Sequence, residues 1–302
     1  MKILITGANG FIGQKLIQDL KSFSAADVYS LSRKTVSSDS GYWIVGDVLD
    51  AESVDAIFRE HCFDVVVHLA AITAHDDIVN HRYSTFDTNL KGTINLLSSF
   101  NRYCKNSFFL YASTGKVYGK TNEMPISETA VTNPKNILGK SKRITEEVID
   151  FYAVPQNKYL VCRIFNIYGE AQKRSFVVPT IIDQLREKEI TLGSIRDFRD
   201  YLYIDDLSSA LISCISHREK FAPVDYVNIG SGEPACVMDI IHEMEELLER
   251  KIVVRVDESR MRVDETPVEF CDHSKLTSLT GWEPSYSLKS GLQKTLVAEG
   301  VL

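Results

Sequence analysis

The sequence predicts an α/β protein, a doubly wound parallel sheet with a smaller α/β unit toward the C-terminus. Three observations carry this. Apolar, strand-length runs alternate with helix-period segments through the first half of the chain. A glycine-rich turn joins the first such run to the first amphipathic helix. The chain has 302 residues, 44% hydrophobic and 25% charged, which suits a soluble globular protein with one large domain and a smaller one.

Lys2 to Thr6 is a short apolar strand, and the helix after the glycine turn has Ile12, Leu16 and Leu20 on one face. Asp27 to Leu31 and Tyr42 to Val45 read as the next two strands, the latter ending at Gly46-Asp47. Val65 to Ala70 is a continuous apolar run, as expected of a strand covered on both faces. Ser107 to Ala112 and Tyr159 to Phe165 are two more. Helical patterns lie between them at Ala51 to His61, Asn89 to Tyr103 and Ser141 to Tyr152. Alternation of this kind implies right-handed crossovers and a parallel sheet.

After about Asn166 the alternation breaks down. Asp206 to His217 and Met238 to Glu249 read as helices, Asp225 to Ile229 as a strand, and Gly230-Ser231-Gly232-Glu233-Pro234 as a turn. The expected division is a first domain over 1–165 and a second mainly over 166–302, interleaved, with about 205–220 returning to the first.

Composition excludes several classes. The net charge is −7 with no basic stripe, so no nucleic-acid partner is expected. The charge-rich stretch Glu243 to Lys251 is interrupted by Met244, Leu247 and Leu248 at helical spacing, a solvated helix face. Six scattered cysteines without a C-x-x-C pair argue for a reducing compartment, with no disulfide framework and no metal site. No apolar run approaches the ~20 residues needed to span a bilayer. The N-terminal MKILITGANG enters a strand directly, so no signal peptide and a cytoplasmic location are expected.

Gly7-Ala8-Asn9-Gly10-Phe11-Ile12-Gly13 is the chemically informative turn. Its glycines permit a tight bend and close backbone approach to a pyrophosphate, and the helix N-terminus offers free N–H groups and partial positive charge. The spacing is G-x-x-G-x-x-G rather than G-x-G-x-x-G. An acidic residue at the end of the second strand would bind a ribose 2′-hydroxyl and repel a 2′-phosphate. Ser32-Arg33-Lys34 stands there instead, so Arg33 can neutralise such a phosphate and Ser32 can donate to it. NADP(H) is therefore expected over NAD(H).

With GDV at 46–48, HLAA at 68–71, NLKGTINLL at 89–97, YASTGKVYG at 111–119, RIFNIYG at 163–169, RDYLYIDDL at 199–207, NIGSGEP at 228–234 and GWEP at 281–284, the chain resembles the extended short-chain dehydrogenase/reductase family of Rossmann-fold nucleotide-sugar epimerases, dehydratases and reductases. The resemblance implies that Asp47 and Val48 flank an adenine and that Leu69, Ala70 and Ala71 lie along the nicotinamide half. It also implies a catalytic Ser or Thr, a Tyr, and a Lys four residues after the Tyr. Thr114 and Lys142 fit two of these roles, but Leu138 stands where the Tyr belongs. A lysine one turn away lowers a phenol's pKa so that it can exchange a proton near neutrality; leucine exchanges none.

Three explanations follow: another acid, a lesion in an enzyme, or a binding protein that kept the fold. Tyr118 and His75 are the substitute acids considered, against ordinary roles as a packed aromatic and a loop residue; His68 reads as a satisfied core histidine. Gly115 and Lys116 replace the Asp-Glu that 4,6-dehydratases carry after the Thr, which argues against that elimination. By resemblance, Asn166, Arg199 and Arg262 would hold the diphosphate of a sugar nucleotide. The reading is an NADP(H)-linked oxidoreductase or epimerase acting on a nucleotide-linked hexose, with a 4-keto-sugar reductase preferred. The alternatives are a 4-epimerase and a non-catalytic NADP-binding regulator. A homodimer is expected.

Overall fold

The structure is a computed structural model that describes residues 1–23, 26–34, 41–73, 78, 80–187, 189–260 and 266–302. Its first elements are β1 (Lys2–Thr6), α1 (Phe11–Phe23), β2 (Asp27–Ser32), β3 (Tyr42–Val45), α2 (Ala51–His61) and β4 (Val65–His68). Next come α3 (Arg82–Phe86), a π-helical turn (Asp87–Lys91), α4 (Gly92–Tyr103), β5 (Phe108–Thr114), α5 (Ile137–Tyr152) and β6 (Lys158–Ile164). The remainder holds β7 (Asn166–Tyr168), α6 (Val177–Gln184), β8 (Ile190–Leu192), β9 (Phe198–Tyr203), α7 (Ile204–Ser216) and β10 (Val224–Ile229). It ends with β11 (Pro234–Ala235), α8 (Val237–Leu248), β12 (Val254–Val256), β13 (Val268–Glu269), α9 (Ser274–Thr280) and α10 (Leu288–Ala298).

Seven strands form one parallel sheet in the order β3-β2-β1-β4-β5-β6-β10. The chain winds outward one way from β1 and the other way from β4, so the switch point lies between these two strands, where open α/β sheets bind ligands at the strand C-termini. Alternate residues explain the two covered faces. Ile3 and Ile5 of β1 join Leu16, Leu20, Leu207 and Leu211 of α1 and α7 on one side. Leu4 joins Phe58, Leu97, Phe100 and Ile149 of α2, α4 and α5 on the other. Each such fully buried side chain contributes about 1.5–3 kcal/mol.

A smaller sheet sets β9 between β11 and β13, with β7 also paired to β9; β8 and β12 form a separate ladder. Local chemistry fixes the ends of several helices. Asp50 caps α2 by accepting from the Ser53 amide at 3.1 Å, and Cys62 closes that helix in the left-handed region at φ 47. No helix among the described residues is long and apolar enough to cross a membrane.

Several boundaries differ from expectation. β4 stops at His68, not Ala70, because the chain leaves the ladder to give the Ala70 amide to Thr6 Oγ1 at 3.2 Å. The helix expected from Asn89 is α4 from Gly92, and Asn89 falls in the preceding π turn. α5 starts at Ile137, four residues before the expected Ser141, because Asn136 caps it through the Gly139 amide at 2.8 Å.

Candidate active site

The glycine turn lies at the C-terminal end of β1 and packs on the chain leaving β4. Gly7 has φ +68, and a Cβ on it would stand 2.7 Å from the Ala70 nitrogen. A Cβ on Gly13 would stand 2.9 Å from Ala8 Cα. The Gly10 amide donates to the Gly7 carbonyl at 2.8 Å, which closes the bend ahead of α1. Phe11 and Ile12, both half-buried, begin the helix, whose first turn leaves N–H groups without intrahelical partners. Gly7 and Gly13 are thus required by the close packing of the turn on the chain leaving β4 and on itself, and the free N–H groups at the start of α1 are of the kind that can bind an anion.

The neighbouring residues close around the same strand ends. At the tip of β2, Ser32 Oγ accepts from Asn9 Nδ2 at 2.5 Å and from the Lys34 amide at 3.2 Å, so its own hydrogen can turn outward. Arg33 is exposed beside it. Asp47 Oδ1 accepts the Leu49 amide at 2.9 Å, and Val48 is buried against Gly92. Leu69, Ala70 and Ala71 are half-buried next to Gly7.

Thr114 ends β5, and its hydroxyl accepts the Lys116 amide at 3.3 Å. Lys142, 3% exposed, donates from Nζ to the Ala112 carbonyl at 2.6 Å and lies 4.6 Å from the centre of the Tyr111 ring. The helix therefore brings Lys142 to the β5 end that carries Thr114. Leu138, half-buried in the first turn of α5, stands one turn before Lys142 on the same helix face.

Burial pushes the Lys142 ammonium down to about 7, with the Glu146 charge working the other way. An unfolded lysine keeps its proton to about 10.4. Below about pH 7 the fold thus bears the full cost of a buried cation, and that cost fades as pH rises toward the ordinary lysine value. Lys142→Met is expected to raise the melting temperature below about pH 7, with the gain shrinking toward pH 10. Melting curves across that range check this; a gain independent of pH would contradict it.

The other titratable groups at the site are held. Tyr118 is fully buried; its hydroxyl donates to Asn228 Oδ1 at 2.6 Å and accepts from Arg163 Nη1 at 3.1 Å. Burial pushes its phenol up to about 12, so it is a packed polar anchor rather than a free acid. His68 contacts Thr6 Oγ1 at 2.7 Å and Thr93 Oγ1 at 2.9 Å, and burial, then the Lys142 charge, lowers it to about 3. It is a satisfied core histidine. His75 and Arg262 lie outside the described residues.

Asn166 and Arg199 come together on the smaller sheet. Asn166 of β7 pairs with Tyr201 of β9, two residues along that strand from Arg199. Arg199 is 6% exposed, donates to the Phe198 carbonyl at 2.8 Å, and has Glu269 of β13 beside it in register.

The sequence reading missed Asn89 and a pair of ion pairs. Asn89, 1% exposed, accepts the Ile72 amide at 2.8 Å and donates to the Ile72 carbonyl at 3.2 Å and to Ser141 Oγ at 3.1 Å. It pins the chain after Ala71 to the helix carrying Lys142. Its motif was visible in NLKGTINLL, but nothing local announced the π turn that aims it. Glu146 with Arg163, and Lys116 with Glu269, join residues far apart in sequence and left no local pattern.

Comparison with known proteins bears on the family and the fold. The profile of the NAD dependent epimerase/dehydratase family matches residues 3–230. A GDP-6-deoxy-D-mannose reductase from Pseudomonas aeruginosa is 28% identical, over 98% of this chain and 96% of its own. The crystal structure of a UDP-glucose 4-epimerase from Thermotoga maritima, solved with UDP-glucose, superposes with a TM-score of 0.88 at 26% identity, covering 99% of each chain. A Pseudomonas aeruginosa protein named RMD, solved with NADPH, superposes with a TM-score of 0.84 at 27% identity over 98% of each chain.

Proposed function

The chain belongs to the NAD dependent epimerase/dehydratase family, and from that premise we propose that it is an NADPH-dependent reductase of a nucleotide-linked 4-keto sugar. The observation that carries the cofactor choice is the end of β2, where Ser32, Arg33 and Lys34 follow one another in the sequence in place of an acidic residue. A 2′-phosphate reader suits a consumed reductant, whereas an epimerase regenerates its own cofactor. The likeness to a reductase and to a structure holding NADPH supports the same reading. The UDP-glucose-bound relative keeps a 4-epimerase as the second reading. Leu138 favours a third, a binding protein without turnover.

In the proposed complex Gly7, Gly10, Phe11, Ile12 and Gly13 hold the pyrophosphate, and Ser32 and Arg33 the 2′-phosphate. Asp47 and Val48 flank the adenine. Leu69, Ala70, Ala71 and Lys142 line the nicotinamide half. The nicotinamide supplies hydride. Thr114 orients the sugar oxygen, and Asn166, Arg199 and Arg262 hold the nucleoside diphosphate. Residues 1–165, with the helix near 205–220, form the cofactor lobe and the rest of 166–302 the substrate lobe; the active form is a homodimer in the cytoplasm.

Calorimetric titration tests the reading. NADPH should bind at least ~10-fold tighter than NADH, about 1.4 kcal/mol, and Arg33→Ala should erase most of that gap. Equal affinities would remove the cofactor argument. UDP, dTDP, GDP or CDP should raise the melting temperature, since a ligand of the folded state stabilises it. Arg199→Ala should weaken that effect and spare NADPH binding. A chain that responds to none of the four would not be a nucleotide-sugar enzyme.

A further inference from the structure

The reductase reading leaves a proton unaccounted for. Hydride delivery to a carbonyl carbon needs a proton at its oxygen, and Leu138 has none to give. The described titratable groups around the end of β5 include His68, Tyr111, Lys116, Tyr118, Lys142, Glu146, Arg163 and Glu269. All of these except Lys116 are buried. Lys116 is different: its side chain is 25% exposed. It lies two residues past Thr114, whose hydroxyl takes its amide. The first turn of α5, which carries Leu138, abuts it, because a Cβ on Gly139 would stand 3.0 Å from the Lys116 carbonyl carbon.

Its partner crosses from the other sheet. Lys116 Nζ donates to Glu269 Oε2 at 2.8 Å, and Glu269 is 6% exposed. Glu269 stands in register beside Arg199. The ammonium is therefore held between the Thr114 turn and the smaller sheet, beside the strand proposed to hold the diphosphate.

We propose that Lys116, braced by Glu269, donates the proton to the sugar oxygen in the reduction proposed above, on which this inference rests. As hydride from the reduced dinucleotide reaches the carbonyl carbon, the C=O π pair takes a proton from the Lys116 ammonium. A C–H and an O–H bond would form at the sugar, while the C=O π bond, the dinucleotide's C–H bond and a lysine N–H bond break, leaving an oxidised dinucleotide and a neutral amine. Water at the open edge returns the proton, so each turnover consumes one reduced dinucleotide and one proton. Glu269 holds the ammonium in place.

The test compares Lys116→Met, Lys116→Arg and Lys116→Ala with the original chain, by single-turnover absorbance of the reduced nicotinamide and by melting with and without nucleoside diphosphate. Arginine keeps the charge and can keep the pairing, but a guanidinium does not give up its proton. Hydride transfer should fall at least ~10²-fold in all three variants, the lower end for loss of a general acid, while the diphosphate-induced melting shift stays. Ammonium or methylamine should restore part of the rate to Lys116→Ala alone. A Lys116→Arg chain at the original rate would overturn the donor role and leave a charge role. A melting shift lost along with the rate would make Lys116 a binding residue instead. If Lys116→Met does not fold, Lys116→Arg carries the comparison. An original chain that shows the diphosphate shift but no turnover overturns the inference and spares the binding part of the proposed function. An original chain with no shift for any nucleoside diphosphate overturns both.

Discussion

Glu146→Ala should destabilise the fold by about 3–5 kcal/mol, the usual result of removing one partner from a buried ion pair. Glu146 is 0% exposed and Arg163 5%. Arg163 meets the carboxylate with two nitrogens, Nη2 to Oε2 at 2.9 Å and Nε to Oε1 at 3.2 Å. Ser113 Oγ donates to the same carboxylate at 2.5 Å. Arg163 Nη1 goes on to the Tyr118 hydroxyl and the Glu128 carbonyl, both at 3.1 Å. Alanine at 146 would leave a buried guanidinium without its counter-charge and a buried hydroxyl without its acceptor. Replacing both partners, Glu146→Leu with Arg163→Met, should cost less than the single change, because no lone charge is left behind. Urea unfolding of the original chain and the two variants measures this. A single-variant loss under about 1 kcal/mol would mean that the pair is solvated in solution.

The same pair explains part of what was and was not legible in the sequence. The strands of the main sheet through β6 could be read because each is four to seven residues of apolar chain, and a period of two or an unbroken apolar run needs that length to appear. The smaller sheet could not. β11 and β13 have two residues each and β7 has three, too few for any periodicity. All of β9 but Phe198 lay inside RDYLYIDDL, where the motif was recognised and its six-residue strand was not. Among site residues, Gly7, Gly10 and Gly13 were legible because close backbone approach restricts the residue type. Lys142 was legible through its spacing from Leu138. Lys116 and Glu269 are 153 residues apart, and Glu146 and Arg163 are joined only because α5 lies across β5 and β6. Their partnership is a property of the topology. Asn89 depends on a single i→i+5 turn, a local departure from helix geometry with no residue signature of its own.

Leu138→Tyr, introduced into the Lys116→Met chain, should raise the rate of hydride transfer by at least ~10²-fold. α5 begins at Ile137, so a phenol at 138 would stand in its first turn, one turn before Lys142. Leu138 is half-buried rather than packed in the core. Lys142 is held by the Ala112 carbonyl at 2.6 Å and keeps its position without help from residue 138. Its positive charge, together with that of the oxidised nicotinamide, would favour the ionised phenol and so bring its titration toward neutrality. The expected gain is therefore largest where an unassisted phenol is still protonated and a lysine-assisted one has begun to ionise. The original background separates the explanations. If Lys116 already donates the proton, Leu138→Tyr alone should change the rate little or obstruct the sugar. If the chain lacks a donor altogether, the same single change should give the full ~10²-fold rise. If the protein only binds, NADPH should bind tightly and no version should turn over any sugar nucleotide. Single-turnover absorbance of the reduced nicotinamide in the four combinations of residues 116 and 138 distinguishes these results. A doubly changed chain no faster than Lys116→Met, in a protein whose original form is active, would mean that position 138 does not face the reacting oxygen.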